Sequence, residues 1–310
     1  NKFHNTFLSS IMKYHVKGRI HAEINQLRSD NGGTVSGRLS MSNPNLQQVP
    51  ARNKEFGPLI RSLFIPEDGQ LWGSFDYSQQ EPRMTVHYAA SIGNGYAGSN
   101  ELVEAYHTAS TDFHQTVADL VGIERTQAKT IGLGLMYGMG KNRLATSLGV
   151  SKEEANVLIS KYNRKVPFVK LLSDRCMQTA NDKGVIRTKK GRKCRFDMWE
   201  PKDFGLFTAE TFDNAVAKYG RDNIKRAYTY KALNRLIQGS SADQTKQAML
   251  SCAEAGYLPI IQIHDELCFN INKFNTSDIP EIKKIMEQCI EFKLPFVVDV
   301  KTGKSWGETK

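Results

Sequence analysis

The sequence predicts an α+β fold, and three observations carry that reading. Leu71 to Phe75 is an apolar strand-like run that leads into Asp76, and Leu258 to Ile271 reads as a hairpin with His264 and Asp265 near its turn. Between these two carboxylate-bearing segments, most of the chain has helical spacing. A last apolar run, Phe296 to Val300, adds another strand near the carboxyl end.

Taken in order, Phe3 to Tyr14 places Phe3, Phe7, Leu8 and Ile11 on one helical stripe, and the residues after Gly18 look like strand and loop. Leu59 to Ile65 reads as a strand, separated from Leu71 to Phe75 by the turn-forming Pro66-Glu-Asp-Gly69. Pro82 to Ile92 predicts a helix with its proline tolerated in the first turn, followed by a Gly-rich loop from Asn94 to Asn100. Helices are expected over Asp112 to Val121, Glu124 to Tyr137, Lys152 to Asn163 and Pro167 to Asn181, then a basic hairpin from Val185 to Phe196. Residues 200 to 222 carry no recognisable motif and are assigned no function. A long helix from Arg226 to Ala255, the hairpin from Leu258 and a helix from Ile279 to Phe292 complete the chain, which has no internal repeat.

At 310 residues and 40% hydrophobic content, the chain has enough apolar mass for a sizeable core or for two lobes. Its net charge of +10 suits a polyanionic partner such as nucleic acid. The five cysteines are odd in number and form no Cys-x-x-Cys pair, which argues against a disulfide framework or a zinc ribbon and for a reducing cytoplasm. No segment approaches the ~18 consecutive apolar residues of a membrane span, and the amino terminus lacks a signal-peptide core. A soluble, cytoplasmic protein is the expectation.

Two carboxylates carried on strands, Asp76 and Asp265, suggest a divalent-metal site. Taken singly, each has a plainer meaning: Asp76 as an Asx-turn or helix cap, and His264-Asp265 as a polar hairpin tip. Between them, steps of four residues advance about 40° around a helix, so Arg125, Lys129, Leu133 and Tyr137 face one side over about 18 Å of axis, a length that accommodates a nucleoside triphosphate. A solvated basic end followed by an apolar core stripe is the commoner meaning of that spacing. Gly132, Gly134 and Gly138 weaken it, since each costs a helix about 1 kcal/mol relative to alanine and implies close approach of a ligand or another helix.

In order and spacing, Gly73-Ser-Phe-Asp-Tyr-Ser-Gln-Gln-Glu-Pro-Arg83, the segment Arg125 to Gly138 and Ile260-Ile-Gln-Ile-His-Asp-Glu-Leu-Cys-Phe269 resemble motifs A, B and C of family A DNA polymerases. The resemblance extends to Ser36 through Pro50 upstream and Asn234 through Asp243 downstream. It implies a right-hand polymerase fold, with an antiparallel palm sheet, a helical fingers subdomain and a thumb mostly absent. The implied layout is a thumb remnant over 1–18, palm over 19–90, fingers over 91–226 and the second part of the palm over 227–310. The early first motif and the Asn1 start are read as a carboxyl-terminal fragment, and the ending through Trp306 as a native terminus.

By the same resemblance, Asp76, Asp265 and the backbone carbonyl of Tyr77 are expected to hold two Mg²⁺ ions for nucleotidyl transfer from a dNTP to a primer 3′-hydroxyl. Arg125 and Lys129 are expected to bind the triphosphate with help from His114, Lys129 to protonate the departing pyrophosphate, and Gln79, Leu133 and Tyr137 to lie at the nucleotide. Glu81 is expected beneath the sugar, where it excludes a 2′-hydroxyl and selects dNTPs. Arg38, Asn45, Gln47, Asn234, Gln238 and His264 are expected at the primer-template duplex, with a processivity factor or replication protein as a further partner, and the resemblance implies a monomer in a bacterial or phage-infected cell. The sequence departs from the family at Leu133, where an aromatic is usual, at Gly132, where Asn is common, and at Tyr230, where a basic residue is frequent. Motifs for a 3′ to 5′ exonuclease do not appear. Competing readings are a DNA-binding fragment without catalysis, a single-subunit RNA polymerase, disfavoured by Glu81, and a metal phosphohydrolase using His264-Asp265, which leaves Asp76 to Tyr137 unexplained.

Overall fold

The computed structural model describes residues 9–27, 32–50, 53, 55–108, 112–203, 205 and 207–309. In chain order its elements are α1 (Ser10–Met12), β1 (His15–Val16), β2 (Arg19–Ile20), β3 (Glu23–Asn25), β4 (Ser40–Ser42), α2 (Phe56–Arg61), β5 (Gln70–Tyr77) and α3 (Gln80–Ala90). There follow α4 (Ser99–Thr108), α5 (Phe113–Val121), α6 (Arg125–Met136), α7 (Lys141–Leu148), α8 (Lys152–Lys165), α9 (Pro167–Lys183), β6 (Val185–Arg187), β7 (Lys193–Arg195) and β8 (Trp199–Pro201). The chain closes with α10 (Phe212–Tyr219), β9 (Ile224–Arg226), α11 (Ala232–Glu254), β10 (Ile261–Ile263), β11 (Glu266–Asn272), α12 (Asp278–Gln288) and β12 (Val298–Gly303). Two compact units result, one of residues 1–80 with 241–310 and the other of residues 81–240. Among the described residues no helix is long and apolar enough to cross a membrane.

The first unit is built on a four-stranded antiparallel sheet in the order β10-β11-β5-β12. Because successive strand residues face opposite sides, Trp72, Ser74 and Asp76 of β5 share one face, and Gly73, Phe75 and Tyr77 the other. On the Trp72 side, Trp72 stacks on Trp306 at 5.9 Å and joins a core of Ile60, Leu46, Met41, Ile263 and Cys268. The Ser74 hydroxyl lies 2.8 Å from that of Thr309, and the Trp306 N–H donates to the Phe64 carbonyl, so the last turn of the chain is fastened to the sheet. On the other side Phe75 packs edge-on against Phe269, and the Tyr77 hydroxyl donates to the Met286 carbonyl of α12.

The second unit is mostly helical, with Phe113, Ile131, Leu144, Tyr162, Phe168 and Leu172 fully buried from α5 through α9. The α6 glycines serve helix packing. A Cβ on Gly132 would stand 3.0 Å from the Tyr162 hydroxyl, and one on Gly134 would stand 2.9 Å from Leu144. Both are buried, and α8 and α7 make the close approach implied by the sequence.

Several expectations are corrected. Leu59 to Ile65 is not a strand: the Asn53 side chain accepts the Glu55 and Phe56 N–H groups and starts α2, with Pro58 accommodated near its beginning. Its alternating apolar residues are largely outside the core, with Leu59 60% and Ile65 70% exposed. Helices α4, α7 and α10 went unforeseen. In α4 only Ser99, Leu102 and Tyr106 are buried, too sparse a stripe to read, and α7 is framed by Gly140 and by Gly149 at φ 69°. Arg226 belongs to β9 rather than to the long helix, its guanidinium stacked on Trp199, and residues 200–222 contribute β8 and α10. The Phe3 to Tyr14 helix survives as α1, and its Phe3 to Leu8 part lies outside the described residues.

Candidate active site

Asp76 sits at the end of β5, in register with Glu266 of β11 on one side and Asp299 of β12 on the other. Asp265 is the second residue of the two-residue loop joining β10 to β11, and so lies in the hairpin turn. The Tyr77 N–H donates to the Asp265 carbonyl at 3.4 Å, and the Ser78 N–H donates to the Val297 carbonyl at 2.8 Å. These backbone bonds put the two aspartates on neighbouring strand ends, although 189 residues separate them in sequence. Both are partly buried. The Tyr77 phenol is held well above its ordinary pKa, first by burial and then by Cys289, which keeps it neutral as a donor to Met286.

Backbone conformation marks the same place. Gln79, with φ 54°, and His264, with φ 57°, lie in the left-handed region that side chains other than glycine rarely adopt. One lies just past Asp76 where the chain turns from strand to helix, and the other immediately precedes Asp265. Non-glycine residues held in that region cluster at functional sites.

The donor set around Asp76 and Asp265 consists of hard oxygens, which suits a divalent cation of the magnesium or calcium type. Among the described residues no three His, Cys, Asp or Glu side chains converge as a ready-made cage. What is present is a carboxylate pair, Asp76 and Asp265, held on adjoining strand ends by the backbone. Glu266 is buried, with its carboxylate near the Cys268 thiol at 3.6 Å. It also faces the buried Arg61 guanidinium, which lies over the Trp306 ring; burial lowers the Arg61 pKa, and Glu266 opposes that shift.

In the same unit, Asn45 caps a short turn by accepting the Gln47 N–H. The Gln47 side-chain amide donates to the Leu39 carbonyl and to Gln262 Oε1, and Gln262 donates to the His264 carbonyl. The structure thus joins Asn45, Gln47 and His264 in one network, whose centre, the buried Gln262, the sequence reading missed. Its only signal was a polar residue inside an apolar strand. Burial first and then the Arg38 charge lower the His264 pKa.

In the helical unit, Arg125, Lys129 and Tyr137 are exposed and Leu133 is half-buried, while Ala128, Ile131, Gly132, Gly134 and Met136 are buried. Arg125, Lys129 and Leu133 are carried on α6, and Tyr137 is its C-cap. At its far end the Tyr137 hydroxyl donates to the Glu81 carboxylate of α3. At its near end Asp112 Oδ2 accepts from Arg125 Nε at 3.0 Å and Nη2 at 2.6 Å, while Asp112 Oδ1 caps α5 through the Gln115 N–H. Burial raises the Asp112 pKa, but the Arg125 hydrogen bonds, the Gln115 N–H and the nearby cationic charge outweigh it, and the net shift is downward. His114 is buried and lowered to about 4, chiefly by desolvation, so its imidazole is neutral at pH 7. Asn234 and Gln238 are half-buried one turn apart on α11. Asp112 was the residue of this unit that the sequence reading undervalued, since it entered only as the first residue of a predicted helix.

The sequence profile of DNA polymerase family A matches residues 1–308. The chain is 40% identical to a DNA-directed DNA polymerase of Pseudomonas phage M6, with all of this chain and 50% of that protein covered. It is 31% identical to DNA polymerase DpoZ of Vibrio phage phiVC8, covering 48% of it. Among solved structures, the POL domain of Pol1 from M. smegmatis, in complex with DNA primer-template and dNTP, superposes with a TM-score of 0.77 at 28% identity. That match covers 98% of this chain and 50% of the other. The chain thus spans about half the length of these relatives, and its mixed helix and sheet architecture is the α+β polymerase fold. With the profile matching nearly every residue, the chain belongs to DNA polymerase family A.

Proposed function

We infer that this chain carries the nucleotidyl-transfer site of a template-directed DNA polymerase, which extends a primer 3′-hydroxyl with a dNTP. The observation that carries the reading is the backbone bond from Tyr77 to Asp265, which holds Asp76 and Asp265 on adjoining strand ends. Asp76, Asp265 and the Tyr77 carbonyl would hold two Mg²⁺ ions, whose chemistry is to make the attacking hydroxyl more acidic and to neutralise charge on the leaving pyrophosphate.

The remaining roles fall to side chains. Arg125 and Lys129, exposed on one face of α6, offer charge-assisted donors to the triphosphate, and Lys129 delivers a proton to the pyrophosphate as it leaves. His114, neutral at pH 7, adds hydrogen bonding without charge. Leu133 supplies apolar contact without the π-face of an aromatic ring. Glu81, engaged by Tyr137, forms a filled floor against which a 2′-hydroxyl loses contacts, and Gln79 borders the nucleotide. Arg38, Asn45, Gln47, His264, Asn234 and Gln238 contact the primer-template, where minor-groove acceptors let pair geometry be tested without reading sequence.

Single-nucleotide primer extension tests this reading, with Asp76→Ala and Asp265→Ala compared against the unsubstituted chain and primer-template binding followed in parallel. Extension lost in both variants with binding kept is the expected result. Extension that survives either substitution refutes the site, and binding without extension by the unsubstituted chain leaves a DNA-binding module.

A further inference from the structure

A strongly basic stretch of the helical unit lies outside every residue assigned above. In Arg187-Thr-Lys-Lys-Gly-Arg-Lys-Cys-Arg195, six of nine residues are basic. The β6–β7 hairpin pairs Ile186 with Cys194 and Arg187 with Lys193. Ile186, Thr188, Cys194 and Phe196 face inward and are buried, while Arg187, Lys189, Lys193 and Arg195 are exposed. Like charges directly opposite across a ladder destabilise it, so Arg187 beside Lys193 is a liability unless an anion lies over them. No acidic side chain among the described residues forms an ion pair with Arg187, Lys190, Lys193 or Arg195.

The inward face is fixed firmly despite that repulsion. The Tyr88 hydroxyl accepts the Lys189 N–H at 2.9 Å and lies 2.6 Å from the Ser240 hydroxyl. Arg235 donates to the Arg195 carbonyl at 2.6 Å, its guanidinium lies over the Phe196 ring, and Cys194 reaches the Arg235 carbonyl. Arg235 and Ser240 lie on α11 next to Asn234 and Gln238, the residues assigned to the primer-template. The helix that carries those two amides therefore also clamps the hairpin and holds its cations outward.

We propose that the exposed face of the β6–β7 hairpin, Arg187, Lys189, Lys193 and Arg195, is a second, sequence-independent site for the phosphodiester backbone of the nucleic acid. The proposal rests on the polymerase reading for the identity of that nucleic acid, and on the hairpin alone for the contact. Strand geometry sets cations on one strand about 6.8 Å apart, so the face spans two or three phosphates.

The test is the salt dependence of DNA binding by the whole chain, comparing the unsubstituted protein with the triple variant R187Q/K193Q/R195Q. Each duplex phosphate contact contributes about 0.9 to the slope of log K against log salt, and each single-strand contact about 0.7. The expected result is a slope shallower by about 1.5 to 3, with the thermal transition unchanged because the substituted side chains are exposed, and with R187K/R195K retaining the original slope. A blunt duplex and a primer-template with a 5′ template extension separate the sources: a loss on both assigns the contact to duplex, and a loss confined to the extended substrate assigns it to the single strand. An unchanged slope in the folded triple variant overturns the proposal, as does salt-independent binding by the unsubstituted chain. A reduced slope without nucleotide incorporation by the unsubstituted chain would sustain the hairpin contact and sink the polymerase reading; the opposite pair of results would do the reverse.

Discussion

Replacing Asp112 by Asn separates its two jobs. Asn caps a helix about as well as Asp, so the Oδ1 bond to Gln115 is retained, whereas the charge that draws two Arg125 N–H groups onto Oδ2 is lost. The side chains are 46% and 35% exposed for Arg125 and Asp112, so the pair contributes about 0.2 to 1 kcal/mol to stability after solvent screening. Melting should fall by a few degrees at most, at about 2 to 4 °C per kcal/mol. The functional effect should be larger in proportion. Re-ordering a released arginine on each binding event costs about 0.5 to 1.5 kcal/mol, which raises KM for the dNTP roughly two- to tenfold. With Arg125 in its proposed role of holding the triphosphate, its orientation bears on binding and not on the bond being made, so kcat should stay within about twofold. The assay is steady-state single-nucleotide incorporation over a dNTP titration, repeated in an Arg125→Ala background, where Asp112→Asn should have no further effect on KM. A KM that falls, or that rises equally without Arg125, would show that Asp112 competes with the nucleotide or acts elsewhere, and the positioning argument would be wrong.

Two further outcomes follow from the structure. A methyl group at Gly73 would sit 2.6 Å from Ile271 Cγ1 in the middle of the sheet, so Gly73→Ala should destabilise by about 1 to 3 kcal/mol in chemical denaturation; a neutral effect would mean that the sheet relaxes freely there. His114 has a folded pKa of about 4 against an ordinary value of 6.5, so the unfolded chain binds the extra proton and stability is lost as pH falls from about 6.5 through about 4. The loss attributable to this group is on the order of 3 kcal/mol, and it should be missing from the pH profile of His114→Asn; identical profiles would refute it.

The helices of the second unit were legible where apolar spacing was dense and the caps were explicit, as in α8, whose Ser151 and Glu154 form a reciprocal capping box. They were illegible where tertiary contacts make the element. Tyr106 of α4 is covered by the Arg83 guanidinium, a pairing that no local pattern announces. The strand-like reading of Leu59 to Ile65 failed because an alternating apolar run also fits a short helix with one edge in the core, and the deciding signal was the Asn53 cap. At the site, residue types alone pointed to Asp76, Asp265 and the α6 residues as candidates. Gln262 and the Arg125–Asp112 pair needed coordinates, because the partners are distant in sequence or have a second plausible job.

The fastening of the last turn to β5 has a consequence for the chemistry at the other end of that strand. A strand can slide along its neighbours, and a slip of one residue would send Asp76 to the opposite face of the sheet. Trp306 against Trp72 and the Thr309 hydroxyl against Ser74 oppose that slip from the Trp72 side, while Tyr77 reaching Met286 opposes it from the other. Residues 306 to 309 behave as the index mark of a scale: they set which residue of β5 comes level with the hairpin turn that presents Asp265.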